Sequence, residues 1–383
     1  MLKVNFYNCP DPEKFDTELM PKEIPEFLVY EPNFELVQSL KEKYSNFRKI
    51  LVLGHGGSVS ALEAIWGDRE KNITVLSTVD PHRVKLLKKD FSSEDTLVIP
   101  ISKSGTTITT IEMVLAFSGY TMLGITDKRS ALGKLLSKKG FDVFGHPEGI
   151  GGRFSGLTEV SMLPLALGGV DAKTVLRGGK SILAKFSEPN IAFDVASVFQ
   201  QLEDKGYVDI LWATYSSLLT AFHPLLTQLI HETYCKDEQG QSVLAFEGPE
   251  LQHHTNQRLF GGRKNLALCV VSTAQHVMQV LEVGPDISEI NYSDQTLGRL
   301  NGESLGNALE AERHGVIETA KNKKIPVIEI ILEDISLGSV GEYLGFLMLS
   351  AYYGAILRDV EPLDQPAVEE SKALGILARF SQK

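Results

Sequence analysis

Short runs of aliphatic and β-branched residues alternate with helical apolar patterns through the first half of this chain. KILVLG leads through glycines into SALEAIWG, NITVLST into a helical stretch near 84–89, and TLVIPIS into a helix that opens at Thr107. TMLGITD, the helical ALGKLLSKK and FDVFGHP continue the series. Strand-length apolar runs separated by helices predict an α/β fold, a parallel sheet with helices on both faces. A second series starts near Gly206: YVDILWA, a helix over 224–235, SVLAFEG, NLALCVVST and IPVIEIILE, with long helical patterns from Leu337 to the end. The expected organisation is an N-terminal arm and helix (1–47), a first doubly wound unit (48–185), a second (186–335) and a C-terminal helical segment (336–383). YLGFLMLSAYYGAIL, over 343–357, is short for a bilayer span and rich in small residues, so it reads as a buried helix.

Composition narrows the class of partner. With 383 residues, 43% hydrophobic and 23% charged, the chain reads as a soluble globular protein large enough for two domains. A net charge of −11 argues against nucleic acid or an anionic membrane as the main partner, so an anionic substrate would have to be attracted by a local site. Cys9, Cys235 and Cys269 lie far apart, without a disulfide framework or paired metal spacing, and no signal peptide is evident; a cytoplasmic protein is expected.

Three loops carry candidate chemistry. GHGGS (54–58) stands between the first strand and a helix, where a dinucleotide fingerprint would stand. Val59 occupies the place of the third glycine, which weakens a nicotinamide reading even with Asp80 available for a ribose. Gly57 and Ser58 at that helix start can face an anion. SKSGTT (102–107) is the richer donor cluster: hydroxyls, a glycine and a lysine meet at a helix N-terminus, at the carboxyl end of a central strand. It also reads as an ordinary Ser/Thr helix cap, and no Walker pattern accompanies it. GIGGRFSG (149–156) brings bare backbone up to Arg153.

GHGGS, SKSGTT and GGRFS, in this order, resemble the sugar-isomerase (SIS) domain of the phosphoglucose isomerase family. The resemblance implies two flavodoxin-like SIS subdomains packed together, with C-terminal helices. It implies a sugar phosphate held by Ser102, Ser104, Thr107 and the backbone of Lys103, with Gly57 and Ser58 in the same pocket. QLIHETYCKD (228–237) is similar to the family segment that carries the catalytic carboxylate, here Glu232. Spacing alone favours Glu232 as an exposed i,i+4 partner of Lys236, and the family resemblance reverses that; at the edge of an apolar stripe the carboxylate would be partly desolvated and a better base. ELQHHTNQRLFGG (250–262) resembles the ring-opening segment, with His253 in the histidine position and His254 beside it. PLDQPAVEESK (362–372) resembles the C-terminal motif, placing Gln365 and Lys372 against the sugar; read alone, Lys372 is a solvated partner of Glu369.

The family reading implies aldose–ketose isomerisation of glucose 6-phosphate and fructose 6-phosphate through a cis-enediol. His253 and Lys372 would open the ring, Glu232 would move the proton, and Arg153 would meet the enediolate. It implies no cofactor and no metal, and a homodimer in which His253 serves the partner's pocket. A metal site on His231, Cys235, His253 and His254 matches no common spacing, and His146 and His223 read as structural. The rival readings are an isomerase of a related phosphosugar such as mannose 6-phosphate, a non-catalytic sugar-phosphate sensor, and a nicotinamide-dependent dehydrogenase. His55, Thr109 and Cys235 depart from the family wording.

Overall fold

The computed structural model describes residues 2–67 and 72–381. Its framework is two five-stranded sheets. The first takes the order Ile73–Leu76, Lys49–Leu53, Thr96–Ser102, Thr121–Thr126, Asp142–Phe144, with every pair parallel. The second takes the order Lys3–Tyr7, Val327–Leu332, Leu266–Thr273, Asp209–Thr214, Ser242–Glu247. Its pairs are parallel except at the N-terminal strand, which runs antiparallel along Val327–Leu332. Each sheet therefore has the first strand of its series inside and the second at an edge, as a doubly wound fold does.

The alternation read from the sequence acts through the pleat. Ile50 and Val52 face one way and Leu51 and Leu53 the other, all fully buried, so each face of the first sheet meets its own apolar cluster. The same split separates Ile210 and Trp212 from Leu211 and Ala213 in the second sheet. The inner faces of both sheets belong to one continuous core, filled by helices Ala172–Leu183, Ile191–Asp204 and Leu337–Leu357. The last of these, at 21 residues, is long and apolar enough to cross a membrane, but it lies in the middle of the core, as its apolar surround on all sides requires.

The residues read as an N-terminal arm have a tertiary role. KVNFY forms the edge strand of the second sheet, paired from Lys3↔Ile331 to Tyr7↔Val327, although it precedes the first sheet in the chain. Helix Phe34–Lys43 follows, capped by Asn33. Between Thr273 and helix Leu305–Asn322 the chain makes a self-paired excursion, with a small hairpin at Asn291–Tyr292 and Gln295–Thr296, that adds no layer to either sheet.

Candidate active site

The phosphate-type loop forms where the sequence places it. Helix Ile108–Ala116 starts directly after Thr107, and the loop 102–107 binds itself together: Ser102 Oγ donates to Thr107 Oγ1 at 3.3 Å and accepts from the Gly105 amide at 3.1 Å. Ser104 Oγ accepts from both the amide and the hydroxyl of Thr106, at 3.3 and 3.0 Å. Gly105 has φ +59°, and a Cβ there would lie 1.9 Å from Ser130 Oγ, so the turn admits only glycine. Ser102 is buried at the base; Lys103 and Ser104 stand exposed at the rim, with Thr107 half-buried. The result is a set of donors open to solvent at a helix N-terminus, competent to hold a phosphate dianion.

The glycines of the other two loops serve a different purpose. A Cβ on Gly57 would fall 2.2 Å from the Arg153 amide nitrogen, so the start of helix Gly57–Trp66 lies directly against the turn Gly152–Phe154. Ser58 is covered by the same contact and only 9% exposed. Phe154 stacks on Phe27 with ring centroids 4.6 Å apart and meets Tyr352 edge-on at 6.2 Å. The neighbouring Arg153 is thereby pinned, 3% exposed.

Arg153 is the hub. Its Nε donates to Thr233 Oγ1 at 2.9 Å, Nη1 to Gln365 Oε1 at 2.7 Å, and Nη2 to the carbonyls of Pro362 at 2.7 Å and Asp364 at 2.9 Å. Nη1 also stands 3.4 Å from Glu232 Oε2. Every N–H of the guanidinium is thus directed at a protein oxygen. Burial pulls the Arg153 pKa down, and the charges of Glu232 and Asp364 oppose that.

Glu232 comes from helix His223–Tyr234. Leu225, Leu226, Leu229 and Ile230 face the core, which turns the other side of the helix toward an open cavity of about 510 Å³. His223, Thr227, Gln228, His231 and Glu232 line that cavity. Gln228, one turn before Glu232, donates from Nε2 to Glu232 Oε2 at 3.0 Å, while its buried Oε1 has no partner among the described residues. Gln228 also packs on the first glycine loop, since a Cβ on Gly56 would lie 2.9 Å from its Nε2. Gln228 was not singled out from the sequence; its i−4 spacing from Glu232 was the available signal.

The fold thus brings Gly57, Ser58, Arg153, Glu232 and Gln365 into one cluster, with the 102–107 loop on the neighbouring strand of the same sheet. Lys372 and His253 are not part of it. Lys372 lies on helix Glu369–Phe380, exposed and paired with Glu369 at 2.7 Å. No residue of that helix is buried, so the Lys372 stem is not packed against the site. His253 ends the short turn Glu250–His253 and is exposed; His254 hydrogen-bonds Thr255 and meets Phe246 edge-on at 5.1 Å. The Glu232–Lys236 pair does not form either: Lys236 reaches Asp364 instead, at 2.7 Å.

His231, Cys235 and His223 are each held by a different partner. His231 Nε2 accepts from the Val243 amide at 3.1 Å, Cys235 Sγ lies 3.5 Å from the Gln241 carbonyl, and His223 Nε2 pairs with Thr214 Oγ1 at 2.9 Å. Burial pushes the His146 and His223 pKa values down to about 4.

No family model matches the chain. It is 30% identical over 346 residues to the "probable glucose-6-phosphate isomerase" of Natronomonas pharaonis, a match covering 86% of this chain and 78% of that protein. It is 25% identical over 368 residues to the glucose-6-phosphate isomerase of Methanocaldococcus jannaschii, covering 91% and 87% of the two chains. Among solved structures, a glucose-6-phosphate isomerase from Chlamydia trachomatis superposes with a TM-score of 0.74 over 99% of this chain and 82% of that one, at 18% identity. That likeness speaks for the fold.

Proposed function

The chain belongs to the glucose-6-phosphate isomerase family, and from that premise we propose that it interconverts glucose 6-phosphate and fructose 6-phosphate by moving a proton between carbons 2 and 1. The observation that supports this most is the Glu232 carboxylate, fixed by Gln228 at 3.0 Å and set 3.4 Å from the buried Arg153 charge, on the wall of an open cavity. A base held in one orientation beside a fixed cation suits proton abstraction next to a carbonyl.

In this reading the substrate phosphate sits on Ser102, Ser104, Thr107 and the Lys103 amide, which anchors the far end of the sugar. After ring opening, Glu232 takes the proton from carbon 2, and the bonding electrons form the carbon 1–carbon 2 double bond of the enediolate. The hydroxyl proton on oxygen 2 then passes to oxygen 1, Glu232 returns its proton to carbon 1, and the electron pair left on oxygen 2 closes the carbon 2 carbonyl of the ketose. Arg153 acts through its charge: its N–H groups are already directed at protein oxygens, so it lowers the energy of the developing oxyanion without a new hydrogen bond.

Ring opening is assigned to His253 and Lys372 on the family resemblance. Both are exposed and apart from Glu232 in the single chain. Lys372 therefore enters with a movement of its exposed helix, and His253 is supplied by a second copy of the chain in a homodimer. The chain is read as cytoplasmic, in keeping with its three free thiols.

A coupled assay with fructose 6-phosphate, run with and without EDTA, tests the reading. Turnover unaffected by chelation is expected. Pure, folded protein that fails to convert the sugar would overturn the isomerase assignment, and activity lost with EDTA would overturn the metal-free route.

A further inference from the structure

Residues 361–365 form a strap between the core helix Leu337–Leu357 and the surface helix Glu369–Phe380. Two cations hold it. Arg153 takes the Pro362 and Asp364 carbonyls and the Gln365 side chain. Lys236 stands just past the end of the Glu232 helix. It donates to the Glu361 carbonyl, to the Asp364 carbonyl at 2.9 Å and to the Asp364 carboxylate at 2.7 Å. The Asp364 carbonyl is therefore shared, with Lys236 Nζ and Arg153 Nη2 each 2.9 Å away.

We propose that Lys236 is a positioning residue of the isomerase site: it fixes the strap on which Arg153 is aligned with Glu232. This rests on the isomerase reading above. Gln365 Oε1 and Glu232 Oε2 share Nη1 of Arg153, so the place of the guanidinium depends on where the strap lies. If Lys236 is removed, Arg153 alone holds the strap and can follow it away from Glu232. The carbonyl contacts carry this role. The Asp364 carboxylate is 55% exposed, and a half-solvated ion pair contributes little. The Lys236 side chain is only 12% exposed, so its ammonium is confined to these acceptors.

The consequence falls on the chemical step. Ground-state affinity comes largely from the phosphate at the 102–107 loop, whereas the alignment of Arg153 with Glu232 matters where charge develops. Misplacing a catalytic group by about 1 Å costs up to ~100-fold in rate.

The test compares Lys236→Met, Lys236→Arg and Asp364→Ala with the native chain, reading kcat and KM for fructose 6-phosphate together with amide hydrogen exchange over 359–368. Lys236→Met should lower kcat about 10- to 100-fold with KM within about 3-fold, and should speed exchange in the strap but not in helix His223–Tyr234. Lys236→Arg should recover most of kcat. Asp364→Ala should stay within about 3-fold of the native rate, because it leaves both carbonyl contacts. A native kcat in Lys236→Met, a loss carried entirely by KM, unchanged strap exchange, or an arginine variant no better than methionine would each overturn the proposal. If Lys236→Met does not fold, the arginine and alanine variants decide it: near-native kcat in both supports the proposal, and an alanine variant slower than the arginine one contradicts it. Strap exchange is read without turnover, so an inactive native protein would count against the isomerase reading and not against the role of Lys236.

Discussion

The 102–107 loop and the Arg153 cluster both face negative charge, yet they are built in opposite ways. The loop satisfies itself with hydroxyl and amide contacts inside six consecutive residues and leaves Lys103 and Ser104 open to solvent. Arg153 is buried and directed at oxygens from residues 79 to 212 positions away. One site is ready to bind an anion that arrives with its charge in place. The other is a fixed charge beside a base, with nothing to spare for a ground-state ligand. That division suits a reaction whose substrate carries a constant charge at one end and develops a transient one at the other.

Substitutions should separate the two regions. Glu232→Gln removes the proposed base while preserving the shape, and should lower kcat by about 10³-fold or more; a sugar phosphate should still raise the melting temperature of the variant. A kcat within tenfold of native would mean the base lies elsewhere. Arg153→Ala should lower kcat about 10²- to 10³-fold and destabilise the fold by about 3–5 kcal/mol, because it leaves Glu232 and the strap carbonyls without their shared donor. Ser104→Ala, by contrast, should raise KM by about tenfold at most, with kcat and stability close to native. If Arg153→Ala and Ser104→Ala lose affinity and rate in the same proportion, the division between the two regions is wrong.

The legibility of each region follows from its sequence range. The 102–107 loop is local: a strand, a glycine at positive φ and a helix cap are all contained in TLVIPISKSGTT, so pattern and turn chemistry suffice to place it. Arg153 was legible as a residue but not in its surroundings, because Pro362 and Asp364 contribute backbone carbonyls, which leave no mark on side-chain identity. Lys236 illustrates the same limit. Its i,i+4 spacing suggested a partner in Glu232, and a strap 128 residues further on supplied the acceptor instead. The N-terminal strand escaped because KVNFY is short and half-polar, and its place at the sheet edge depends on the register of Val327–Leu332. Lys372 keeps its i,i+3 ion pair with Glu369, since its helix buries no residue in the single chain and is tied to the rest through Arg379 and Glu112 at its far end.

The smallest expected effect is a pH dependence of stability that each region contributes separately. His146, within electrostatic range of Lys103, and His223, at the start of the Glu232 helix, are both held mainly by burial at pKa values of about 4, against an ordinary value of 6.5. Each takes up a proton more readily unfolded than folded, so its contribution is intact above pH 6.5 and is lost as the pH falls toward 4. The urea midpoint should decline across that window, and His146→Gln and His223→Gln should each flatten the decline, additively if the regions are independent. A midpoint that stays level between those pH values would show that neither imidazole is buried neutral.

The proposed chemistry has Glu232 moving a proton between two carbons of a sugar phosphate bound by the 102–107 loop. Running the reaction in D₂O and following carbons 1 and 2 of the sugar by NMR reads that step directly. Solvent deuterium should accumulate there over many turnovers with the native chain, and should be almost absent with Glu232→Gln. A product that stays free of deuterium after extensive turnover, or equal incorporation by the glutamine variant, would contradict it.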